Sequence, residues 1–435
     1  MAFKLHGIKL PERKTTEGMP SVKMPAPETV TIPTAMHIGA PVKPVVKVGD
    51  EVFVGTLIAE DNEHLSAPVY SSVSGKVSKI TEITISNGNV VQAIVIASDG
   101  QMTVDENIKK PEINSKEDLI TAIKNSGMVG LGGAGFPTYA KFTTNKTIET
   151  LIINGAECEP YITSDTTTMV ERADDIKVAI EAIVKYFGIK EVILGIEKGS
   201  GEAQKKMEEI ASSVSNMSVK VLPKLYPQGG EKVLVYHTTG KVIGSGMLPI
   251  DVACVVVNCS TMANIGKYIL TGMPLVERCI TVDGASVKEP KIVVAPIGTA
   301  LKEVFEFCGG FTEEPFSVLY GGPMMGVAVP DLSVPVLKQT NAILALTKKE
   351  TSMPKETACI RCGSCVTNCP FGISAPAIMK GYKNKDVDAI IKAGAEICME
   401  CGCCSFNCPA NRPLVQTNKL AKALIRETKA KEANK

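Results

Sequence analysis

The chain has 435 residues, of which 44% are hydrophobic and 21% are charged, and its formal net charge is +1. At roughly 150 residues per domain, this length predicts about three globular domains and excludes a single small module, a fibre or a disordered linker. A net charge near zero provides no overall field that would collect nucleic acid or an acidic membrane. No apolar run approaches the roughly 20 residues of a membrane-spanning helix, and the opening residues contain no signal peptide. The sequence therefore predicts a soluble cytoplasmic protein, or one that is peripheral to a membrane.

The first predicted domain covers residues 1–105. Its stretches 45–59 and 66–77 resemble a biotinyl/lipoyl-like β barrel, in which carrier proteins expose a cofactor-bearing lysine on a hairpin. The corresponding stretch here, 60–65, contains no lysine, so we expect a docking domain without a tethered cofactor. His37 and His64 lie at the predicted turns, where a structural role is favoured over a binding contact.

A glycine-rich segment follows and contains the spacing Gly130-x-Gly132-x-x-Gly135. This spacing matches the dinucleotide-binding fingerprint, but the residues before it predict a helix where a strand is expected, and Pro137 interrupts the helix that should follow. The glycines still allow the backbone to lie directly against a flat or phosphorylated ligand. Taken alone, the segment is also compatible with a flexible turn.

The next signal is a short apolar strand that ends in Asn154 and continues as Gly-Ala-Glu157-Cys-Glu159-Pro. In open α/β sheets, ligands bind at the carboxyl ends of the strands, so these three polar residues are candidates for binding. A solvated surface pair is the alternative for the two glutamates. Helical and strand-like runs alternate around this point, which predicts a Rossmann-like α/β domain over 110–250.

A third unit is predicted over 251–345. Strand-like runs at 279–284, 291–295 and 317–322, with a helical run at 299–308, indicate a strand-strand-helix-strand module. This module resembles a β-grasp (SLBB) domain.

Cysteines dominate the last predicted domain, 350–435, because nine of the 14 in the chain lie within its final 77 residues. The run C-x2-C-x2-C-x3-C-P occurs twice, from Cys359 and from Cys398. Bacterial two-cluster ferredoxins use this run, and its fourth cysteine ligates the other 4Fe–4S cluster. By that pattern, one cluster binds Cys359, Cys362, Cys365 and Cys408, and the other binds Cys398, Cys401, Cys404 and Cys369.

Structural zinc is the alternative for these cysteines, but a zinc site has no use for the third evenly spaced thiolate or for the trailing Cys-Pro. Cys403 breaks the spacing and is predicted to be a packed neighbour. Short helical patterns between the runs predict an α-helical, ferredoxin-like domain with two 4Fe–4S clusters. The basic tail, 411–435, predicts a solvated terminal helix, with docking onto an integral membrane partner as the alternative. Its apolar side consists of Leu414, Leu420, Leu424 and Ile425.

Together, the glycine segment, the run 154–160 and the twin cysteine motif resemble the NADH-binding flavoprotein subunit of respiratory complex I. They resemble still more closely the RnfC family of the Rnf complex, a membrane-associated enzyme that exchanges electrons between ferredoxin and NAD. The likeness spans nearly the entire chain. It implies FMN and NAD(H) as ligands, integral membrane Rnf subunits and indirectly ferredoxin as partners, and a position on the cytoplasmic face of the cell membrane.

The resemblance also implies individual binding roles. For Lys141, which would reach the FMN phosphate or ring, a plain surface lysine is the alternative. Complex I carries an Asp where this chain has Ala156, so the flavin contacts are expected to differ there. The residues implied for FMN are Gly130, Gly132, Gly133, Gly135, Lys141, Asn154, Glu157, Tyr226, Gly229, Glu231, Asn258 and Thr261. Those implied for NADH are Phe136 and Phe142, which would stack on it, and Glu159 and Glu231, which would bind its ribose or amide.

The predicted function is that of an NADH-dependent flavin and iron–sulfur oxidoreductase subunit. No side chain is expected to act as nucleophile or acid, because the cofactors carry the redox chemistry. One alternative is a soluble reductase of the same type that serves another acceptor, such as a cobalamin enzyme or an amino-acid reductase. The other is a non-enzymatic iron–sulfur relay or assembly protein with a vestigial flavin site.

Overall fold

The computed structural model describes residues 6–85, 88–351 and 354–433. The opening segment 1–5, where no signal peptide is predicted, lies outside these residues. The described strands are β1 (Ser21–Lys23), β2 (Thr29–Pro33), β3 (Lys43–Pro44), β4 (Glu51–Val52), β5 (Leu57–Glu60), β6 (Val69–Tyr70), β7 (Gly75–Thr84), β8 (Val90–Ser98), β9 (Thr150–Gly155), β10 (Glu191–Glu197), β11 (Met217–Leu222), β12 (Cys254–Asn258), β13 (Glu277–Asp283), β14 (Lys291–Pro296), β15 (Ser317–Tyr320), β16 (Val327–Ala328) and β17 (Ala342–Leu346).

The helices lie mainly in the second and fourth predicted domains. Two short 3-10 helices, Pro249–Val252 and Ala395–Ile397, accompany them. The described α-helices are α1 (Lys116–Asn125), α2 (Thr138–Phe142), α3 (Ser164–Glu171), α4 (Ala173–Phe187), α5 (Gly201–Ser213), α6 (Glu231–Thr239), α7 (Cys259–Thr271), α8 (Leu301–Phe307), α9 (Ser364–Thr367), α10 (Ala375–Lys383), α11 (Val387–Lys392), α12 (Cys403–Phe406) and α13 (Leu414–Ala433).

The first domain is a sandwich of two small antiparallel sheets, with the strand orders β2-β8-β7-β4 and β3-β5-β6. Alternate side chains of β2, Val30 and Ile32, are fully buried and pack with Ile58, Ile94 and Ile96. This period-two burial is what a strand with one face on a core requires. The predicted barrel-like docking domain is therefore confirmed.

Residues 6–24 lie outside that sandwich, which corrects the predicted domain 1–105. Ile8 pairs with Tyr226 of the α/β domain through two backbone hydrogen bonds of 2.9 and 2.8 Å. The Lys14 ammonium donates to the main-chain oxygen of Glu157 at 2.8 Å, and β1 extends the β-grasp sheet beside β14. Residues 6–24 thus form an N-terminal arm that connects the second and third domains.

The second domain is a four-stranded parallel sheet in the order β11-β10-β9-β12. Leu151, Ile152 and Ile153 of β9 are fully buried, because helices cover both faces of the sheet and alternation of polar and apolar residues is lost. Strand order runs outward from β9 to β11 and then returns to the other side of β9 with β12. Since β12 and α7 belong to this sheet and its helical layer, the predicted boundary at 250 is wrong and the domain continues to 271.

The third domain is a six-stranded sheet in the order β1-β14-β13-β17-β15-β16. Helix α8 packs on it through Leu301, Val304 and Phe305, all of which are buried. The predicted strand-strand-helix-strand module is present, and β1 from the arm and β17 from the end of the module complete its sheet.

The C-terminal domain is helical, as predicted. Its small core joins Ile378 of α10, Ile390 of α11, and Ala421 and Ile425 of α13. The expectation of a solvated terminal helix needs correction, because α13 packs on α10 with Leu414 and Ile425 buried. Leu420, which was expected on the apolar side, is 52% exposed. Among the described helices, none is both long and apolar enough to cross a lipid bilayer.

Candidate functional site

The glycine segment forms a closed turn with a bare edge. Gly135 N–H donates to Gly130 O at 3.0 Å, and Gly130 N–H donates to Phe136 O at 2.8 Å. Gly133 has a φ of +106°, a backbone conformation that L side chains rarely adopt, and a Cβ there would meet no atom within 4 Å. Gly132 and Gly133 are exposed. The turn therefore presents main-chain atoms, without covering side chains, to the space beside it.

One peptide of this turn is held from both sides. Leu131 N–H donates to Thr261 Oγ1 at 3.1 Å, and Leu131 O accepts from Arg278 Nη2 at 3.0 Å. Arg278 is 2% exposed, its Nε donates to Thr340 O at 2.9 Å, and burial lowers the pKa of its guanidinium to about 10. Sequence reasoning missed Arg278. Its signal is a charged residue inside an otherwise apolar strand, where it needs buried acceptors.

Two asparagines mark the carboxyl edge of the sheet. Asn154 lies near the end of β9, Asn258 ends β12, and the two residues are register partners in these parallel neighbours. Strand order reverses between β9 and β12, and such switch points form ligand-binding crevices in open α/β sheets. A Cβ on Gly132 would lie 3.1 Å from Asn258 Nδ2, so the glycine turn borders this crevice directly.

The two asparagines are held by different partners. Asn258 caps α7 by accepting from Thr261 N–H at 3.2 Å, and its Nδ2 donates to Asp165 Oδ2 at 2.7 Å. Asn154 Nδ2 donates to Gly229 O at 2.9 Å. The crevice is therefore walled on one side by the glycine turn and on the other by the segment that contains Gly229.

Lys141 and Glu231 lie at the second wall and form an ion pair at 2.9 Å. The Lys141 ammonium also donates to Val256 O at 2.8 Å, while 27% of its side chain stays exposed. The structure thus brings Lys141, Asn154, Gly229, Glu231 and Asn258 to one edge of the sheet, as the sequence predicts.

The two glutamates after β9 serve other elements of the fold. Glu157 Oε1 accepts from Asp165 N–H at 2.8 Å and Oε2 from Thr166 N–H at 3.1 Å, at the start of α3. Glu159 accepts from Met324 N–H at 3.0 Å and Met325 N–H at 2.9 Å. Burial raises the pKa of the Glu159 carboxyl to about 7. The alternative of a solvated surface pair is wrong, and both carboxylates already bind backbone N–H groups of this chain.

The two phenylalanines differ. Phe136 is half-buried beside the glycine turn. Phe142 is fully buried with its ring centroid 5.0 Å from that of Phe187, so the prediction that it stacks on a nucleotide is wrong. It belongs to the hydrophobic core.

The barrel sandwich reaches the other end of the glycine turn. Ile38 N–H donates to Gly135 O at 2.8 Å, and the buried Lys338 ammonium donates to Pro68 O and Gly127 O at 2.5 and 2.9 Å. His37 is bound to Ala40 O at 2.9 Å, and burial lowers its pKa to about 4. These contacts fit the structural role expected for His37. His64 lies at the exposed hairpin tip against Asp61 at 3.1 Å.

The eight cysteines of the twin motif divide into two cavities as the ferredoxin pattern predicts. Residues of both runs line each cavity, since the fourth cysteine of each run crosses to the other. One cavity is lined by Cys359, Cys362, Cys365 and Cys408, hereafter site 1, and the other by Cys369, Cys398, Cys401 and Cys404, hereafter site 2.

The two cysteine runs also adopt the same backbone. Each contains a four-residue helix, α9 or α12, and three residues with positive φ at equivalent places 39 positions apart. Such an internal repeat predicts two equivalent ligand sites. The equivalent pairs are Arg361 and Glu400, Gly363 and Gly402, and Gly372 and Asn411.

The thiol spacing fits a cluster better than a metal ion. Thiolates around one tetrahedral zinc lie about 3.8 Å apart, since each Zn–S bond is about 2.3 Å long. In the described part of the chain, no three cysteine sulfurs lie within 4.8 Å of one another. Four soft thiolates in a wider arrangement suit the corners of a 4Fe–4S cube. The zinc alternative is therefore not supported. Cys403 is fully buried with its Sγ 4.0 Å from Tyr226 O, as expected for a packed neighbour.

The second wall of the crevice continues directly to site 2. Tyr226 is 2% exposed, and its hydroxyl donates to Cys401 O at 2.7 Å. A Cβ on Gly230 would lie 2.1 Å from the Met399 methyl carbon, so the two segments are closely packed. The segment 226–231 thus contacts the crevice at Gly229 and the site 2 loop at Tyr226 and Gly230.

Four family models match successive parts of the chain: the RnfC barrel sandwich hybrid domain over 2–101, the Nuo51 FMN-binding domain over 123–267, the SLBB domain over 279–328 and a 4Fe–4S dicluster domain over 353–409. The RnfC-type component of the proton-translocating ferredoxin:NAD(+) oxidoreductase complex of Clostridium ljungdahlii is 40% identical over 86% of this chain and 83% of its own. The chain belongs to the RnfC family.

Other relatives agree with membership of the RnfC family. The equivalent component of the Na(+)-translocating ferredoxin:NAD(+) oxidoreductase complex of Acetobacterium woodii is 39% identical, over 88% of this chain and 87% of its own. The corresponding component of an ion-translocating oxidoreductase complex of Rhodobacter capsulatus is 38% identical, over 94% of this chain and 80% of its own. The FMN-binding and dicluster matches confirm the predicted fold class and support FMN and two 4Fe–4S clusters as its cofactors.

A solved structure shares the fold of this RnfC-family chain at low sequence identity. It is a chain in the crystal structure of an NAD+-reducing NiFe hydrogenase in the H2-reduced state, with a TM-score of 0.50 and 16% identity. The match covers 72% of this chain and 63% of that chain. It supports the predicted fold class.

Proposed function

We propose that the chain is the NADH-interacting peripheral subunit of an ion-translocating ferredoxin:NAD+ oxidoreductase complex, and that it passes electrons between NAD(H), FMN and two 4Fe–4S clusters. The observation that carries this proposal is the segment 226–231, which joins the crevice at the sheet edge to the site 2 loop. A flavin crevice and a cluster site that share one wall can exchange electrons without a further carrier.

FMN is proposed to lie in the crevice between β9 and β12. The bare edge at Gly132 and Gly133 would lie along it, while Thr261 and Arg278 hold the intervening peptide in place. Lys141 would supply positive charge at the second wall, where its ammonium is already directed by Val256 O. Bound FMN would accept two electrons from NADH as a hydride and release them singly.

The chain's own residues position and insulate. Glu157 secures α3 and Glu159 secures the turn 322–325 against the α/β domain, so neither is assigned a proton in the redox step. This assignment replaces the flavin contact proposed for Glu157 and the NADH contact proposed for Glu159. Phe136, half-buried beside the glycine turn, stays a candidate for contact with the nicotinamide nucleotide.

Burial orders the two clusters. Cys401 of site 2 is 7% exposed and packs with Ile8, Tyr226 and Cys403 between the domains. Cys359 and Cys362 of site 1 are exposed. We therefore propose that electrons pass between the flavin and site 2, then between sites 2 and 1, and leave or enter the protein at site 1. Integral membrane subunits, and indirectly ferredoxin, are the proposed partners, at the cytoplasmic face of the membrane.

The proposal is tested on the full chain purified without oxygen. We expect bound FMN, about eight iron atoms per chain from two 4Fe–4S clusters, and NADH-dependent reduction of a dye. Protein that contains both clusters but binds no FMN, or binds FMN without reducing the dye, would support the relay function in place of the enzyme. Copurification with membrane proteins of the complex from the native cell separates a component of that complex from a soluble reductase, which would be recovered without them.

A further inference from the structure

The surface around site 1 is open and concave. Cys359 and Cys362 are exposed, and Ile360 between them is 68% exposed. Helix α10 forms one side of the recess and the segment 408–414 forms another. Site 2, by contrast, is enclosed by the N-terminal arm, the segment 226–231 and the turn 322–325, where Met324 O would lie 3.1 Å from a Cβ on Gly402. An external protein can therefore approach site 1 far more closely than site 2.

The charged side chains that line this recess are all cationic. No Asp or Glu is among the described residues that form its walls. Arg412 is paired with Glu356 at 3.3 Å outside the recess, whereas Arg361, Lys380 and Lys383 form no ion pair in the described residues. Unpaired cations around an exposed redox site produce a local positive potential that attracts an anionic partner.

The charge distribution of the whole chain leads in the same direction. Residues 351–435 contain 13 Lys and Arg against 7 Asp and Glu, while the other 350 residues contain 34 against 39. A net charge of +1 for the protein therefore conceals a positive C-terminal domain attached to a negative remainder. An acidic protein that collides with this chain would be directed towards the end that carries site 1.

We propose that the cationic recess of site 1, formed by Arg361, Lys380, Lys383 and Arg412 around exposed Ile360, docks an acidic one-electron carrier protein. This inference rests on the proposed function, because it names the kind of partner that exchanges electrons at site 1. In each encounter one electron leaves one partner and enters the other, so one centre is oxidised as the other is reduced, and no bond or proton is transferred.

An anionic membrane surface is the competing ligand for positive charge. A bilayer contains no electron acceptor of its own, and a flat surface cannot enter a recess flanked by α10. The exposed apolar side chain at the centre with cations around it instead has the layout of a protein interface, with an apolar core and a polar rim. The acidic carrier is therefore the favoured occupant.

The test is the binding of the iron-loaded full chain to a small acidic 4Fe–4S ferredoxin, measured by surface plasmon resonance at low and high salt. We expect the double variant Lys380→Glu and Lys383→Glu to weaken binding about tenfold or more at low salt, chiefly through a slower association rate. High salt should weaken binding of the native chain and abolish the difference between the two proteins. The control variant Lys76→Glu and Lys79→Glu, on β7 of the barrel sandwich, makes the same charge change and should bind like the native chain.

Because glutamate is unfavourable near the carboxyl end of a helix, a second variant with Lys380→Gln and Lys383→Gln tests the charge without inverting it. It should lose part of the affinity at unchanged iron content. Native affinity in both lysine variants would overturn the proposal. So would equally tight, Lys380- and Lys383-dependent binding to phosphatidylglycerol vesicles. Loss of NADH-dependent dye reduction would contradict only the proposed function, since ferredoxin binding is read without turnover.

Discussion

The Tyr226 hydroxyl donates a hydrogen bond of 2.7 Å to the main-chain oxygen of Cys401. Tyr226 belongs to the segment that holds Asn154 at the flavin crevice, and Cys401 is a predicted ligand of site 2. This one bond therefore joins the two redox sites through the backbone. Burial of both partners makes it costly to break.

Tyr226→Phe removes this bond and keeps the ring. We expect a loss of roughly 1–3 kcal/mol in the stability of the interface, because the buried Cys401 oxygen is left unpaired. FMN content should be unchanged, while cluster reduction by NADH in stopped-flow absorbance should slow as the two loops lose their register. Equal rates in the variant and native protein would show that the contact is not on the electron path.

Arg278 is predicted to control FMN affinity from outside the crevice. Arg278→Met keeps the length and apolar stem of the side chain but leaves the oxygens of Leu131 and Thr340 unpaired, at roughly 1–3 kcal/mol each. We expect FMN to be lost on gel filtration while the iron content stays at the native value. Arg278→Lys, which can still donate to one oxygen, should retain an intermediate amount of FMN, and full retention in both variants would contradict the assigned role.

The crossed ligand sets predict opposite effects for two cysteines. Cys369 lies in the first run but lines site 2, and Cys408 lies in the second run but lines site 1. Cys369→Ser should therefore perturb the cluster that is buried against Tyr226, and Cys408→Ser the exposed one. Electron paramagnetic resonance of the reduced variants, with an oxidant that reaches only exposed clusters, distinguishes the two. The reverse assignment would show that each run binds its own cluster.

Glu197 is predicted to weaken the protein at alkaline pH. It is 5% exposed, its Oε1 has no hydrogen-bond partner among the described residues, and burial raises its pKa to about 7. Since the unfolded chain ionises this group at a lower pH, its cost to stability is absent near pH 4 and grows as the pH rises through 7.

Glu197→Gln removes that cost. We expect a variant about as stable as the native chain near pH 5 and more stable at pH 8, by on the order of 3 kcal/mol at most. The measurement is the melting temperature as a function of pH, with Glu17→Gln on the exposed arm as the control. A constant difference across this pH range would exclude titration of Glu197 as the cause.

The cofactor sites differ in how far the sequence predicted them. The twin cysteine run specified both ligand sets, including the exchange of Cys369 and Cys408, because cluster ligands close together in the chain impose a fixed spacing. The glycine turn and Asn154 were also placed correctly at the sheet edge. The role of Phe142 was wrong, and Glu157 and Glu159 proved to be occupied by backbone N–H groups, since short polar and aromatic signals do not reveal which partner from a distant segment is nearest.

By itself, the sequence determined which cofactor chemistry the chain can support, because thiolate spacing, glycine content and strand ends are local properties. Only the tertiary structure decided how the parts are connected. The N-terminal arm, the buried Arg278 and the contact of Tyr226 with Cys401 each join residues more than a hundred positions apart. Such contacts depend on the packing of whole domains against one another, and no periodicity within a short stretch of chain encodes them.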